Sequence, residues 1–263
     1  MSNSGYKPVG PVRMYYEIHG KQQGVPLVLL HGGGSSIGAT FGRIIPQLAK
    51  THWVIGVEQQ GHGHTADIDR PYTLEQMADD TAALLAQLDI TSANFLGFSN
   101  GGQVALQLAV RHPQIIHKLI VASGFYSREG VIPELQAGWQ KSITPDDMPA
   151  DLRDDFLQTA PEPKDLQRHI DKSQQMMQTF KDLPPGDLKK FDFPSLIIVG
   201  DHDVVRLEHA VDMSRLIPSA RLVVLPGAHG AYIGELSTPQ VKTNMPHVTV
   251  AIVNDFLDGS LPI

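Results

Sequence analysis

Ser99 stands between glycines in the run Leu96-Gly97-Phe98-Ser99-Asn100-Gly101-Gly102, where an apolar stretch ends and a helical pattern starts at once. A serine at the tip of such a strand-to-helix turn has its hydroxyl clear of its neighbours and backbone N–H groups beside it, a geometry suited to nucleophilic acyl transfer. The G-x-S-x-G pattern is short, so its surroundings decide its meaning. Three other clusters carry matching chemistry. His31-Gly32-Gly33-Gly34-Ser35-Ser36 offers exposed backbone N–H groups that suit a developing oxyanion. It has neither the G-x-G-x-x-G spacing nor the Lys-Ser/Thr ending of a phosphate loop, which leaves a plain turn as the alternative. Gly200-Asp201-His202-Asp203 supplies two carboxylates, either of which can orient a histidine, although Asp203 also suits a helix N-cap. Pro226-Gly227-Ala228-His229-Gly230 places a histidine in a glycine-flanked loop. Alone it reads as a solvated surface residue; with a serine and an acid it reads as a general base.

The elements that must bring these groups together follow from hydrophobic patterning. Short Val/Ile/Leu-rich runs at 26–30, 53–57, 94–98, 118–121, 196–199 and 221–225 alternate with helical patterns, which predicts a mostly parallel sheet covered on both faces. Residues 12–18 alternate and predict an antiparallel edge strand. Helices are expected at 73–88, opened by Thr73 with Gln76 as a capping box, and at 101–110, 208–216 and 248–257. Ligands of open α/β sheets sit outside the carboxyl ends of the strands, and all four clusters follow a predicted strand. Between Phe125 and Lys190 the strand rhythm stops, and several short amphipathic helices are expected.

Composition narrows the function classes. The chain has 263 residues, 41% of them apolar, with 21 basic and 28 acidic residues and a net charge of -7. No basic cluster exists to neutralise phosphates, so nucleic acid is disfavoured as a partner. The longest uninterrupted apolar stretches, such as Leu27–Leu30 and Leu196–Val199, are strand-sized, which disfavours membrane insertion. The first residues lack the apolar core of a secretory signal, and a cytoplasmic location is the expectation. With no cysteine, thiol catalysis and disulfides are excluded. His62 and His64 form a close pair without a third ligand nearby in sequence, so no metal site and no cofactor are expected. The expected partner is a small molecule, and the sequence specifies no oligomeric state.

Together, His31-Gly32-Gly33, Gly61-His62-Gly63, Gly97-Phe98-Ser99-Asn100-Gly101-Gly102, Gly200-Asp201-His202-Asp203 and Pro226-Gly227-Ala228-His229 resemble the α/β-hydrolase superfamily over nearly the whole chain. The resemblance implies a doubly wound α/β core at 1–124 and 191–263 with a helical cap inserted at 125–190. It implies Ser99 as nucleophile, His229 as base and Asp203 as acid, with Asp201 as the alternative. The backbone N–H groups of Gly33 and Asn100 form the implied oxyanion hole, and His31, Gly32, Gly97 and Gly101 support the loop and elbow. The turn at Glu58, Gln60 and His64 departs from the usual residues of the superfamily. A serine at the elbow points away from relatives that use aspartate there. The reading is a serine hydrolase for small, largely apolar esters or lactones. Cofactor-free perhydrolase or haloperoxidase chemistry, carbon–carbon bond hydrolysis and a non-catalytic binding protein are the alternatives. Phe98, Trp139, Met176 and Phe180 are the expected pocket walls, with Phe125, Tyr126, Met148, Phe156 and Met177 as further candidates.

Overall fold

The computed structural model describes residues 3–239 and 242–259. The predicted segments 1–124 and 191–263 thus include residues 1, 2, 240, 241 and 260–263, which lie outside the described residues. In chain order the strands are β1 (Asn3–Val9), β2 (Val12–His19), β3 (Leu27–Leu30), β4 (Val54–Val57), β5 (Ala93–Phe98), β6 (Ile116–Ala122), β7 (Ser195–His202) and β8 (Ala220–Ala228). They form one sheet in the order β1-β2-β4-β3-β5-β6-β7-β8. Pairings from β4 to β8 are parallel, while β1 with β2 and β2 with β4 are antiparallel. Val12–His19 is therefore antiparallel as expected but is not the edge. The edge is β1, whose tight return through Gly10 at φ +55 pairs it with β2 along its full length. Its mixed polar sequence hid it, because only Val9 is buried.

The helices are α1 (Ile37–Phe41), α2 (Ile45–Leu48), α3 (Leu74–Gln87), α4 (Asn100–Arg111), α5 (Pro133–Gly138), α6 (Ala150–Thr159), α7 (Leu166–Thr179), α8 (Pro185–Leu188), α9 (Leu207–Leu216) and α10 (Met245–Asp258). The Thr73 hydroxyl accepts the Gln76 N–H at 3.1 Å, but only half of the expected capping box forms. Gln76 turns its side chain forward instead and donates to Asp80 Oδ1 at 2.9 Å.

The period-2 pleat sorts each buried strand between two cores. Val28 and Leu30 of β3, Phe95 of β5, Leu119 and Val121 of β6, and Ile197 and Val199 of β7 face α3, α4 and α9. Leu27, Leu29, Leu96, Phe98, Ile120, Leu196 and Ile198 face α1, α2 and α10. Each such side chain, fully withdrawn from water, contributes about 1.5–3 kcal/mol. Burial on both faces is why these strands read as continuous apolar runs.

Between β6 and β7 the chain makes α5 to α8. A small apolar cluster of Phe156, Leu166 and Ile170 joins α6 to α7. The α7 helix is tied to the segment after β4 by Lys172 and Arg168, which reach Asp67 Oδ2 at 2.7 and 3.0 Å. Ser36 Oγ likewise donates to Asp155 of α6 at 3.1 Å. No helix among the described residues is long and apolar enough to cross a membrane.

The tightest packing lies where α4 meets the sheet. A Cβ on Gly97 would stand 2.1 Å from the Gly101 carbonyl oxygen, and one on Gly101 would stand 2.0 Å from that of Leu30. Backbone atoms cannot swing aside as a flexible side chain does. Gly97→Ala should therefore cost about 3 kcal/mol or more in urea unfolding. Gly138→Ala, where nothing lies within 4 Å of the new methyl, should be neutral or stabilising by up to about 1 kcal/mol.

Candidate active site

Ser99 joins β5 to α4 with φ 54° and ψ -117°, a strained conformation for a side-chain-bearing residue. Its backbone is fully engaged. Its N–H donates to Ala122 at 2.8 Å, and its carbonyl accepts the N–H groups of Gly102 and Gln103 at 2.9 and 3.1 Å. The side chain is thereby turned out of the sheet. Ser99 Oγ lies 2.9 Å from His229 Nε2, and His229 Nδ1 lies 2.6 Å from Asp203 Oδ1. A carboxylate only accepts, so Nδ1 carries the proton, and Nε2 is left to accept from the serine hydroxyl. Phe98 backs the imidazole, with ring centroids 4.8 Å apart.

The Asp203 side chain is fully buried. Burial alone would push its carboxyl up, but the bonds from His229, Ser123 and the Val205 N–H together hold it below the usual carboxylate range. Asp203 is not a helix cap: α9 opens at Arg206 without a side-chain cap bond. Asp201 lies exposed and accepts the Gly227 N–H at 2.8 Å, away from His229. It ties β8 to β7 at the point where their register shifts between Gly200 and His202.

Gly33 and Asn100 stand side by side, since a Cβ on Gly33 would lie 3.5 Å from the Asn100 Cβ. Asn100 opens α4, and first-turn N–H groups have no acceptor inside their own helix. His31 braces the glycine loop: its Nδ1–H donates to Gly32 at 2.8 Å, and its Nε2 accepts the Gln59 N–H at 3.1 Å. Gly32 in turn donates to Thr40 Oγ1 at 3.1 Å. His62 and His64 do not converge. His62 Nδ1 bonds the Gln60 carbonyl at 2.9 Å, whereas His64 Nδ1 bonds Glu58 Oε2 at 3.0 Å.

Ser99 and His229 open onto a cavity of about 390 Å³. One end is formed by Gly33, Gly34, Asn100 and Gln103; the rest includes Phe125, Leu135, Trp139, Ile143, Met148, Met176 and Met177. No Asp, Glu, Lys or Arg lines it among the described residues. Trp139 and Met176 are thus where the sequence put them. Phe98 and Phe180 are not. Pleat alternation sends Phe98 to the face of the sheet that carries α1 and α10, beneath the His229 ring. Phe180 packs edge-on against Phe125 at 5.7 Å, behind the wall, with the Arg128 guanidinium over its ring. Tyr126 stacks on His209, and Phe156 packs against His169, so neither lines the cavity.

Residues that the sequence left unmarked also meet here. Ser123 donates to Asp203 Oδ2 at 2.5 Å, and its position directly after β6 was the available signal. His169 of α7 lines the cavity and packs edge to face on His62 at 4.6 Å. Nothing local in the α7 sequence distinguishes it from a surface histidine.

The protein matches the family described as alpha/beta hydrolase fold over residues 25–183. It is 30% identical over 125 residues to a 2-hydroxymuconate semialdehyde hydrolase of a Pseudomonas species, covering 46% of this chain and 44% of that protein. It is 38% identical over 133 residues to a pimeloyl-[acyl-carrier protein] methyl ester esterase of Aeromonas hydrophila, covering 47% and 50%. The matched part spans about half the length of these curated relatives. Among solved structures, an enol-lactonase of Burkholderia xenovorans superposes with a TM-score of 0.75 at 22% identity, covering 97% of this chain and 100% of that one.

Four buried histidines contribute to the pH dependence of stability. Burial pushes His31 down to about 3, His62 and His209 down to about 4, and His169 well below its ordinary value. The unfolded chain, with histidines near 6.5, binds protons that the folded one refuses. Their stabilisation is complete above about pH 6.5 and is lost as pH falls toward 4. Each should cost on the order of 1 kcal/mol by pH 5.5, read as a falling urea midpoint, and His209→Gln should flatten that slope by one proton. The family match across more than half of its length places the chain in the α/β-hydrolase fold family.

Proposed function

We propose that this protein is a serine hydrolase that cleaves carboxylic ester or lactone bonds of small, uncharged, largely apolar substrates through an acyl-enzyme. The observation that carries this reading is the continuous hydrogen-bond chain from Asp203 through His229 to Ser99, opening into a cavity that no Asp, Glu, Lys or Arg lines among the described residues. His229 Nε2 takes the Ser99 proton as Oγ attacks the carbonyl carbon, and Asp203 stabilises the imidazolium that forms. The Gly33 and Asn100 N–H groups receive the oxyanion, each contributing a few kcal/mol. His229 then protonates the departing alkoxide, and water repeats the sequence on the acyl-enzyme. Every step draws on side chains and backbone of this chain.

In this reading the segment at 125–190 acts as the cap. It supplies Phe125, Trp139, Met148 and Met176 to the cavity wall, and its α7 is clamped at Asp67. An esterase and an enol-lactonase among the similar proteins support the ester and lactone classes. The similar hydrolase named for 2-hydroxymuconate semialdehyde takes a carboxylate-bearing substrate by that name. A carboxylate here would meet no Lys or Arg among the described lining residues, and an unpaired charge in an apolar cavity costs several kcal/mol.

A fluorophosphonate should label the wild-type chain and leave Ser99→Ala unlabelled. Asp203→Asn should lower kcat by about 10³–10⁴-fold, while Asp201→Asn should stay within a fewfold of wild type. An unlabelled folded protein, or the reverse order of the two aspartates, rejects the assignment. Between aryl esters of equal acyl length, a terminal carboxylate in place of a methyl should lower kcat/KM at least about tenfold. A preference for the carboxylate would overturn the substrate class.

A further inference from the structure

Asp203 gives one carboxylate oxygen, Oδ1, to His229. The other, Oδ2, accepts from Ser123 Oγ at 2.5 Å and from the Gly200 N–H at 3.2 Å. Ser123 leaves the end of β6 with φ +49°, a conformation that side-chain-bearing residues seldom adopt. It is held there by its N–H bond to Ile198 at 2.8 Å. Its hydroxyl oxygen also lies 2.6 Å from the hydroxyl of Tyr232, three residues beyond His229. Ser123 is 1% exposed and Tyr232 is fully buried, so water does not compete for either hydroxyl.

Counting protons gives this chain one direction. Ionised Asp203 only accepts, so Ser123 spends its single proton on Oδ2, and its oxygen must accept the proton of Tyr232. Burial and the nearby Asp203 charge both push the Tyr232 phenol well above its ordinary value, which keeps that proton in place. Tyr232 is anchored in turn, because Thr249 of α10 donates to its carbonyl at 2.7 Å.

We propose that Ser123 and Tyr232 are positioning residues for the acid–base pair: through a one-way relay from Tyr232 to Ser123 to Asp203, they fix the plane of the carboxylate that orients His229. The inference rests on the reading of Ser99, His229 and Asp203 as the catalytic triad. The carboxylate torsion of an aspartate is intrinsically broad, and bonds to Oδ1 alone leave it free to rock. With Oδ2 held as well, the lone pair facing His229 Nδ1 stays in line. Removing the Tyr232 hydroxyl frees Ser123 to rotate, so the effect is transmitted over two bonds.

Tyr232→Phe keeps the buried ring and deletes only the hydroxyl, and Ser123→Ala keeps a Cβ at the strained position. Both are to be measured for kcat, KM and the pH dependence of kcat/KM on a neutral aryl ester, with fluorophosphonate labelling alongside. Ser123→Ala should lower kcat about 10–100-fold, the range typical of outer partners of a reacting group, with KM unchanged within about twofold. Tyr232→Phe should act in the same direction and less. A carboxylate that loses a hydrogen bond presents more charge to the imidazolium, so the acid limb should move to higher pH by about half a unit. Glu235, a second carboxylate in electrostatic reach of His229, is bonded to Ser237 and is unchanged in both variants. If either variant loses activity with an unmoved acid limb, or both match wild type, the positioning role is overturned. If Ser123→Ala does not fold, Tyr232→Phe decides alone. An active, labelled wild type beside unaffected variants rejects only this relay; a wild type that neither labels nor turns over rejects the triad and the relay with it.

Discussion

The close approach of α4 to the sheet governs the site. Gly97 and Gly101 let helix backbone lie against the carbonyl of Leu30 where a single methyl would collide. That contact forces Ser99 into its positive φ, and three backbone hydrogen bonds hold it there. The strain is offset by the burial of α4, nearly every residue of which is buried through Ala109. The same approach brings the free N–H of Asn100 beside Gly33, so the elbow and the glycine loop form one pocket end.

Around this point the molecule keeps Asp203 and three histidines out of water. Asp203 lies buried with bonds from His229, Ser123 and two backbone N–H groups, which is what permits a carboxylate at that depth. Burial keeps His31, His62 and His169 neutral, and their rings pack into the seam between the sheet and α7. Among the described residues no Asp, Glu, Lys or Arg lines the cavity beyond them. A dry surrounding strengthens each hydrogen bond aimed at a reacting carbonyl, so core packing and the proposed chemistry have a common basis.

Much of this was legible from residue order. Five parallel strands announced themselves as apolar runs because both their faces are buried, β8 did so by its valines and leucines although it is an edge strand, and the four polar clusters at their ends were found by position alone. The first strand escaped notice because an edge strand that buries one residue has no apolar signature. Phe98 and Phe180 were misplaced because pleat direction and aromatic packing, rather than composition, decide which rings face a cavity.

The sequence by itself determined the parallel part of the sheet, the elbow and the set of residue types able to do acyl chemistry, since these depend on local periodicity and on glycines at fixed spacing. Only the tertiary structure separated the surroundings of Asp201 from those of Asp203. Two residues apart at a strand end, they diverge: one tethers Gly227, and the other enters the buried space beside His229. The partnership of Ser123 and Tyr232, 109 positions apart, likewise came only with folding. Hydrogen bonds between distant strand ends leave no trace in local pattern, because their geometry is set by how the sheet brings those ends together.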